Sequence, residues 1–401
     1  MTIVGRHLAV GLAGVLLAAA CQGPAATTTP TGTAAATGTP GATTTATAAA
    51  PSPTATGTSS PGALTKVRLQ LQWLTQAQFA GYFAARDKGF YAQEGLEVEI
   101  IEGGVDIVPQ SVVAAGQAEF GVSWLPKVLA SIEQGADLVN IAQPFQRSAT
   151  TQISWADTGI DTAEDWRGKT VSTWGAGNEH ELFAAMRKVN IDPENSTDVT
   201  IVTQDFTMDA FINRDVDAAQ AMTYNEYAQV LEKSNPDTGE LYQPEDISVI
   251  TMESTGTAML QDGLFASNAW LAQPGNEDIA VRFLRATFGG WIFCRDNFEE
   301  CVDVVLAAGP LLGRGHQTWQ LNEINALIWP SPNGIGVMDP TAFDRTVQVA
   351  LEAAIITADP PDTVYTTDLA TQALEGLDEV AGDTKGTDFQ KQVVEVTEDG
   401  A

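Results

Sequence analysis

Val67-Arg-Leu-Gln-Leu71-Gln-Trp73-Leu-Thr-Gln76-Ala-Gln78-Phe79-Ala-Gly81 begins as an alternating stretch and passes through a break into a helical pattern that runs on through Lys88-Gly89-Phe90-Tyr91. A second strand pattern, Leu96-Glu-Val-Glu-Ile-Ile101, follows, and the segment reaches Ala118-Glu-Phe-Gly121. Strand, loop, helix and strand in that order put an aromatic and two amide side chains on a strand-to-helix loop. In open α/β folds ligands sit at such loops, outside the carboxyl ends of the strands. The stretch Trp73–Gly81 therefore reads as one wall of a small-molecule cleft.

Working outward, the alternation continues. Strands are predicted at Val67–Leu71, Leu96–Ile101, Phe120–Ser123, Leu138–Ala142, Lys169–Ser172, Val199–Val202, Ala218–Met222 and Ser248–Thr251, with helices between them. After Asn276 the pattern turns helical, over Asp278–Phe293, Phe298–Ala307, Trp319–Leu327 and Pro340–Thr357. This is an α/β chain with largely parallel sheets. Two weakly periodic segments, 149–165 and 251–264, interrupt it and are read as crossovers between lobes. They divide the chain into a discontinuous lobe 1 (66–152 plus 258–378), a continuous lobe 2 (153–257) and a polar tail (379–401) expected to be loosely held.

The front of the chain is an address and a tether. Residues 1–20 carry Arg6 and an apolar run from Leu8 to Ala20, the pattern of a secretory signal and too short for a comfortable membrane span. Ala18-Ala19-Ala20-Cys21 resembles a bacterial lipobox, in which Cys21 becomes the lipidated N-terminus; the alternative is an ordinary signal peptide cut near Ala20. From Gly23 to Ala63 only Ala, Thr, Pro, Gly and Ser occur. Such a segment buries too little apolar surface to offset its ordering entropy and is expected to be a disordered linker, making 21–65 a tether. As a flexible coil, roughly 40 residues span about 35 Å.

The remainder, roughly 315 residues, is enough for one large or two medium domains. With 51 acidic and 20 basic residues the formal net charge is −31. That disfavours nucleic acid and anionic membrane surfaces, both of which select Lys/Arg-rich patches. Of three cysteines, Cys294 and Cys301 remain after Cys21. A seven-residue spacing on one continuous helix is too wide for a bridge, but Asp296-Asn297-Phe-Glu-Glu300 reads as a helix stop and a new N-cap with Glu300 completing a capping box. A structural disulfide is favoured over two free thiols. No metal-ligand spacing is visible, and of the three histidines His180 reads as an exposed helix residue.

Several residues fall at the ends of predicted strands. Trp73, Trp124 and Trp174 each lie at such an end, where they either fill the core or sandwich a planar ring by offset stacking. Gly175-Ala-Gly177-Asn178-Glu179 lies between a strand and a helix, where glycines permit close backbone approach and Asn178 and the first-turn N–H groups meet an oxygen. Tyr224-Asn225-Glu226 begins another helix: Glu226 is suited to accept from a ring N–H or amino group, with Asn225 either orienting the ligand or simply capping the helix. Gln76 and Gln78 offer donor and acceptor to a uracil-like edge. No Ser-His-Asp arrangement accompanies them.

Trp73-x-x-Gln-x-Gln-Phe-Ala-Gly81, Lys88-Gly-Phe-Tyr-x-x-Glu-Gly-Leu-x-Val98, Phe120-Gly-Val122, Gly168-Lys-Thr-Val171 and Tyr224-Asn-Glu226 together resemble the THI5/NMT1-like (SsuA/THI5) group of ABC-importer substrate-binding proteins. The likeness spans about residues 66–300. It implies a two-lobe type II periplasmic-binding-protein fold with a ligand cleft between the lobes, acting as a monomer with a membrane permease as partner. Known members bind flat heterocycles. Val139-Asn-Ile-Ala-Gln-Pro-Phe-Gln-Arg-Ser148 and Trp174-Gly-Ala-Gly-Asn-Glu179 look most like the riboflavin-binding RibY branch. Thiamine-precursor binders carry two asparagines and a histidine where this chain has Gln76, Gln78 and Phe79, which implies a larger apolar surface here. The family's eukaryotic pyrimidine synthases use that histidine, so its replacement by Phe79 argues against an enzyme. The expectation is a lipid-anchored, extracytoplasmic carrier for riboflavin, as transported ligand rather than cofactor. The thiamine pyrimidine precursor is the alternative cargo, with an exported enzyme as a more distant reading.

Overall fold

A computed structural model describes residues 63–175 and 177–401; the signal, Cys21 and nearly all of the Thr/Ala/Pro linker lie outside the described residues. The first of two lobes is built on a sheet of β1 (Thr65–Gln70), β2 (Leu96–Ile101), β3 (Phe120–Trp124), β4 (Val139–Ala142) and β10 (Asp262–Ala266), in the order β2-β1-β3-β10-β4. The second holds β5 (Thr150–Trp155), β6 (Thr170–Thr173), β7 (Thr200–Thr203), β8 (Ala218–Met222) and β9 (Ile247–Thr251), in the order β7-β6-β8-β5-β9. The two orders correspond position for position, and β5 and β10 carry the chain into and out of the second sheet.

Those two crossing strands are the departure from the sequence reading. β10 runs antiparallel to β3 and β4, and β5 runs antiparallel to β8 and β9, so each sheet is mixed. Both strands were hidden in the segments read as weakly periodic because every residue in them is buried. With both faces covered, no polar–apolar alternation remains to be seen. Two of the buried hydroxyls of β5 donate to carbonyls, Thr151 Oγ1 to Ala221 at 2.9 Å and Ser154 Oγ to Ile160 at 2.9 Å, whereas Gln152 Oε1 has no partner among the described residues.

The core of the first lobe is set by two helices, Ala80–Asp87 and Asn276–Asp296, that cross at glycine. A Cβ on Gly81 would lie 2.2 Å from the Trp291 ring, and one on Gly290 would lie 2.0 Å from the Gly81 carbonyl oxygen, so only hydrogens fit at this crossing. Phe79 is fully buried in the same cluster. The end of the opening stretch, Phe79–Gly81, is thus core and not cleft.

Cys294 and Cys301 form a disulfide with Cα atoms 5.0 Å apart. The chain leaves helical geometry at Asn297 (φ −126°, ψ 57°), which lets one helix end and Phe298–Ala308 begin between the two cysteines. The expected capping box is absent: Asn297 makes no side-chain cap, and Glu300 pairs with Lys88. The polar tail is held rather than loose. Asn322 exchanges two hydrogen bonds of 2.9 Å with the Gln392 backbone, Lys391 pairs with Glu323, and Lys233 Nζ donates to Asp399 at 2.6 Å. Composition hid these contacts because the partners are themselves polar. Among the described residues no helix is long and apolar enough to cross a membrane.

Candidate ligand-binding site

The carboxyl ends of β1, β2 and β3 in the first sheet and of β6, β7 and β8 in the second face a cavity of about 480 Å³ between the lobes. Trp73, Gln76, Gln78 and Trp124 from the first lobe and Trp174, Asn178, Tyr224, Asn225 and Glu226 from the second all line it, whereas Phe79 does not. The helical turn at Ala77–Phe79 turns Phe79 inward while the two glutamines face the cleft side.

On the first wall, Trp73 follows β1 on a loop pinned by Gly103, whose N–H donates to the Trp73 carbonyl at 2.9 Å. A Cβ on Gly103 would meet the Gln72 carbonyl carbon at 2.4 Å, so this approach requires glycine. Gln76 Nε2 donates to Gln78 Oε1 at 2.7 Å, and Gln78 Nε2 donates to Asp262 Oδ2 at 2.8 Å. Gln72 Nε2 donates to the other oxygen of Asp262. Burial pushes the Asp262 carboxyl up to about 7, against the hydrogen bond from Gln78 and the charge of Lys127. The Trp124 indole N–H lies near enough to this carboxyl to lower its pKa but falls outside hydrogen-bond geometry, so it remains without a partner.

The second wall rests on β8 and the helix Glu226–Leu231. Glu226 Oε2 accepts from the Met222 N–H at 3.0 Å and Oε1 from Asn225 Nδ2 at 2.7 Å, while burial raises its pKa. Asn225 occupies the N-cap position yet makes no side-chain cap. Its oxygen accepts instead from His316 Nε2 at 2.8 Å, and His316 Nδ1 lies 2.8 Å from Glu232. The glycine loop ends with Asn178, whose oxygen accepts from Lys127 Nζ at 2.7 Å across the cleft. Glu179 is turned back onto its own loop, accepting from the Gly177 N–H at 3.0 Å.

Several cavity groups carried no sequence signal. Lys127 sits over the Trp124 ring at 4.8 Å, and burial brings its pKa down to about 8. His180, read as exposed, lines the cavity, and burial lowers its pKa. Phe206, on the loop after β7, meets Trp73 across the mouth with ring centroids 5.5 Å apart. One helix, Arg314–Ile328, serves both walls. Gln317 accepts from the Ala77 N–H at 2.7 Å and Gln320 from the Gln78 N–H at 3.2 Å, while Trp319 Nε1 donates to the Thr223 carbonyl at 3.0 Å. Its pattern is visible in the sequence, but its partners are not.

The crossovers meet beneath the cavity. Gln261 accepts from the Ala149 N–H at 2.9 Å and donates to Thr150 Oγ1 at 2.7 Å, tying the two connections together. Glu181, on the helix that follows the glycine loop, accepts from the Met259 N–H at 2.5 Å and from Ser148 Oγ at 3.1 Å. Burial raises this carboxyl to about 7.

The two-sheet fold has counterparts among known proteins. The model of the NMT1/THI5-like family matches residues 76–301. The chain belongs to that family. Within the NMT1/THI5-like group, it is similar to the riboflavin-binding protein RibY of Chloroflexus aurantiacus, 26% identical over 88% of this chain and 94% of the relative. It is also similar to the formylaminopyrimidine-binding protein of Halalkalibacterium halodurans, 24% identical over 62% of this chain and 72% of the relative. The fold resembles the crystal structure of a putative periplasmic sulfonate-binding protein SsuA from Methylobacillus flagellatus, with a TM-score of 0.58 at 15% identity, covering 81% of this chain and 98% of the other.

Proposed function

We propose that this protein is the substrate-binding component of an ABC-type importer, acting outside the cytoplasm, and that its cargo is riboflavin. The observation that carries this reading is the convergence of three tryptophans with an amide chain and a buried glutamate on one interlobe cavity. Aromatic faces suit a flat tricyclic ring, and the amides suit an imide edge. A cavity of about 480 Å³ falls in the usual range for ligand pockets of drug-sized molecules and would be underfilled by a single pyrimidine ring. The likeness to the riboflavin-binding relative over most of both chains supports the same cargo.

In this reading the lobes close by a hinge at 148–151 and 257–261, and the closed form is presented to the permease. Lipidation at Cys21 would hold the domain at the membrane on its linker, as a monomer. Binding without conversion is supported by Phe79, which stands where the family's synthases carry histidine and is buried in the core. The thiamine pyrimidine precursor is the second reading, favoured by the formylaminopyrimidine-binding relative. Mass spectrometry of the small molecule that co-purifies decides between them. Riboflavin recovered unchanged supports the proposal, an aminopyrimidine replaces the cargo, and a converted product replaces binding by catalysis.

A further inference from the structure

We propose that Asp262 is a positioning residue that sets ligand specificity: through Gln78 it turns the Gln76 carboxamide so that its oxygen is left for the ligand, selecting a heterocycle that presents an N–H donor beside an acceptor. This rests on the binding role given above but not on riboflavin itself. The imide edge of an isoalloxazine and the amino edge of an aminopyrimidine share that chemistry.

A carboxamide alone has no preferred face toward a ligand, because its oxygen and nitrogen exchange places by a half-turn. Here the turn is fixed from behind. Above about pH 7 Asp262 is ionised and only accepts, so both amides that reach it must then offer their NH₂ groups. Gln78 then has its oxygen left for Gln76, and Gln76 must in turn offer its NH₂ at 2.7 Å. Both hydrogen bonds of the chain Gln76–Gln78–Asp262 run toward the carboxylate. At its cavity end, Gln76 Oε1 has no protein partner among the described residues, and one N–H of the same amide remains. Oxygen and N–H on one amide match a donor and an acceptor on one ligand edge.

The backbone beneath the chain is locked. Gln76 is extended (φ −169°, ψ 174°), its carbonyl accepts from the Phe79 N–H at 3.0 Å, and Gln317 and Gln320 hold the next two N–H groups. Only side-chain torsions remain, and the relay sets those. Lys127 adds a positive charge near Asp262 that favours the accepting form.

The test is run above the Asp262 pKa of about 7, where the carboxylate only accepts, and has a ligand-free arm and a ligand arm. In the ligand-free protein, ¹⁵N side-chain amide spectra of Asp262→Asn should show the Gln76 resonances moving together with those of Gln72 and Gln78. Movement of Gln72 and Gln78 alone overturns the relay. In the ligand arm, affinities are measured for riboflavin against 3-methylriboflavin and for 4-amino-5-hydroxymethyl-2-methylpyrimidine against its 4-dimethylamino analogue. The wild type should prefer the N–H form of whichever pair it binds by at least tenfold. Asp262→Asn should cut that preference at least threefold. Gln78→Met, which breaks the relay midway and leaves the Asp262–Gln72 contact intact, should do the same and covers the case of an Asp262 variant that does not fold. An unchanged preference in the folded variants overturns the proposal, because the methyl group's bulk is the same in all of them. Binding of only the pyrimidine pair, with its preference lost in the variants, removes riboflavin as cargo and upholds the relay. If neither pair binds, the spectra alone decide.

Discussion

Asp262 and Glu181 are both buried carboxyls that burial raises to about 7, yet they stand under opposite walls of the cleft and do different work. Asp262 accepts from side-chain amides that reach the ligand space. Glu181 accepts from a backbone N–H and a serine at the two crossovers. A perturbed acid in a cleft is commonly taken as a sign of ligand chemistry. Burial raises both carboxyls alike and their partners differ, so in the proposed reading the hydrogen-bond partners decide which carboxyl serves the ligand and which the hinge.

The largest effect expected from this contrast is on stability. Between the ordinary glutamate value of 4.5 and about 7, folded Glu181 keeps a proton that the unfolded chain has released. Stability contributed by that proton is therefore lost as pH rises through this window. A shift of this size is worth on the order of 3 kcal/mol. Glu181→Gln should remove its share of the slope, leaving that of Asp262, when denaturant unfolding is compared at the two ends of the window. An unaltered slope would mean that Glu181 does not hold the proton.

Next in size is Glu226→Ala, which strips the second wall of its carboxylate and orphans the Met222 N–H and the Asn225 amide. A loss of about 2 kcal/mol, or roughly thirtyfold in Kd by calorimetry, is expected. A Kd within twofold of wild type would make the second wall a scaffold only. Trp73→Ala should weaken binding by about tenfold, or about 1.4 kcal/mol of stacking and burial. Its cross-cleft neighbour Phe206, 53% exposed, is a lip and not a floor. Phe206→Ala should cost only about 0.5 kcal/mol, seen as a faster off-rate in stopped flow. Equal losses at Trp73 and Phe206 would erase the distinction between wall and lip.

The first wall was readable because its glutamines and Trp73 are contiguous, and the second because Tyr224-Asn225-Glu226 opens a helix directly after a strand. The groups behind them were not readable. Asp262 lies 184 positions from Gln78, and His316 lies 91 from Asn225. No local periodicity encodes such pairings, since side-chain hydrogen bonds of this kind are made by the fold. Phe79 was misplaced for the complementary reason: the turn at Ala77–Phe79 rotates it out of the face shared by Gln76 and Gln78. Lys127 carried no signal because a lone lysine on a helix usually faces solvent, whereas here it packs over the Trp124 ring and reaches Asn178 across the cleft. β5 and β10 lost their strand signature by being buried on both sides.

In the proposed reading the tryptophan- and amide-lined cleft holds a flavin ring. Riboflavin's own fluorescence tests it directly, by titrating protein into the free vitamin at equilibrium. Saturable quenching at sub-micromolar protein, with one site per chain and about tenfold weaker binding in Trp73→Ala, is the expected result. Absence of saturable quenching by the folded wild-type protein would contradict it.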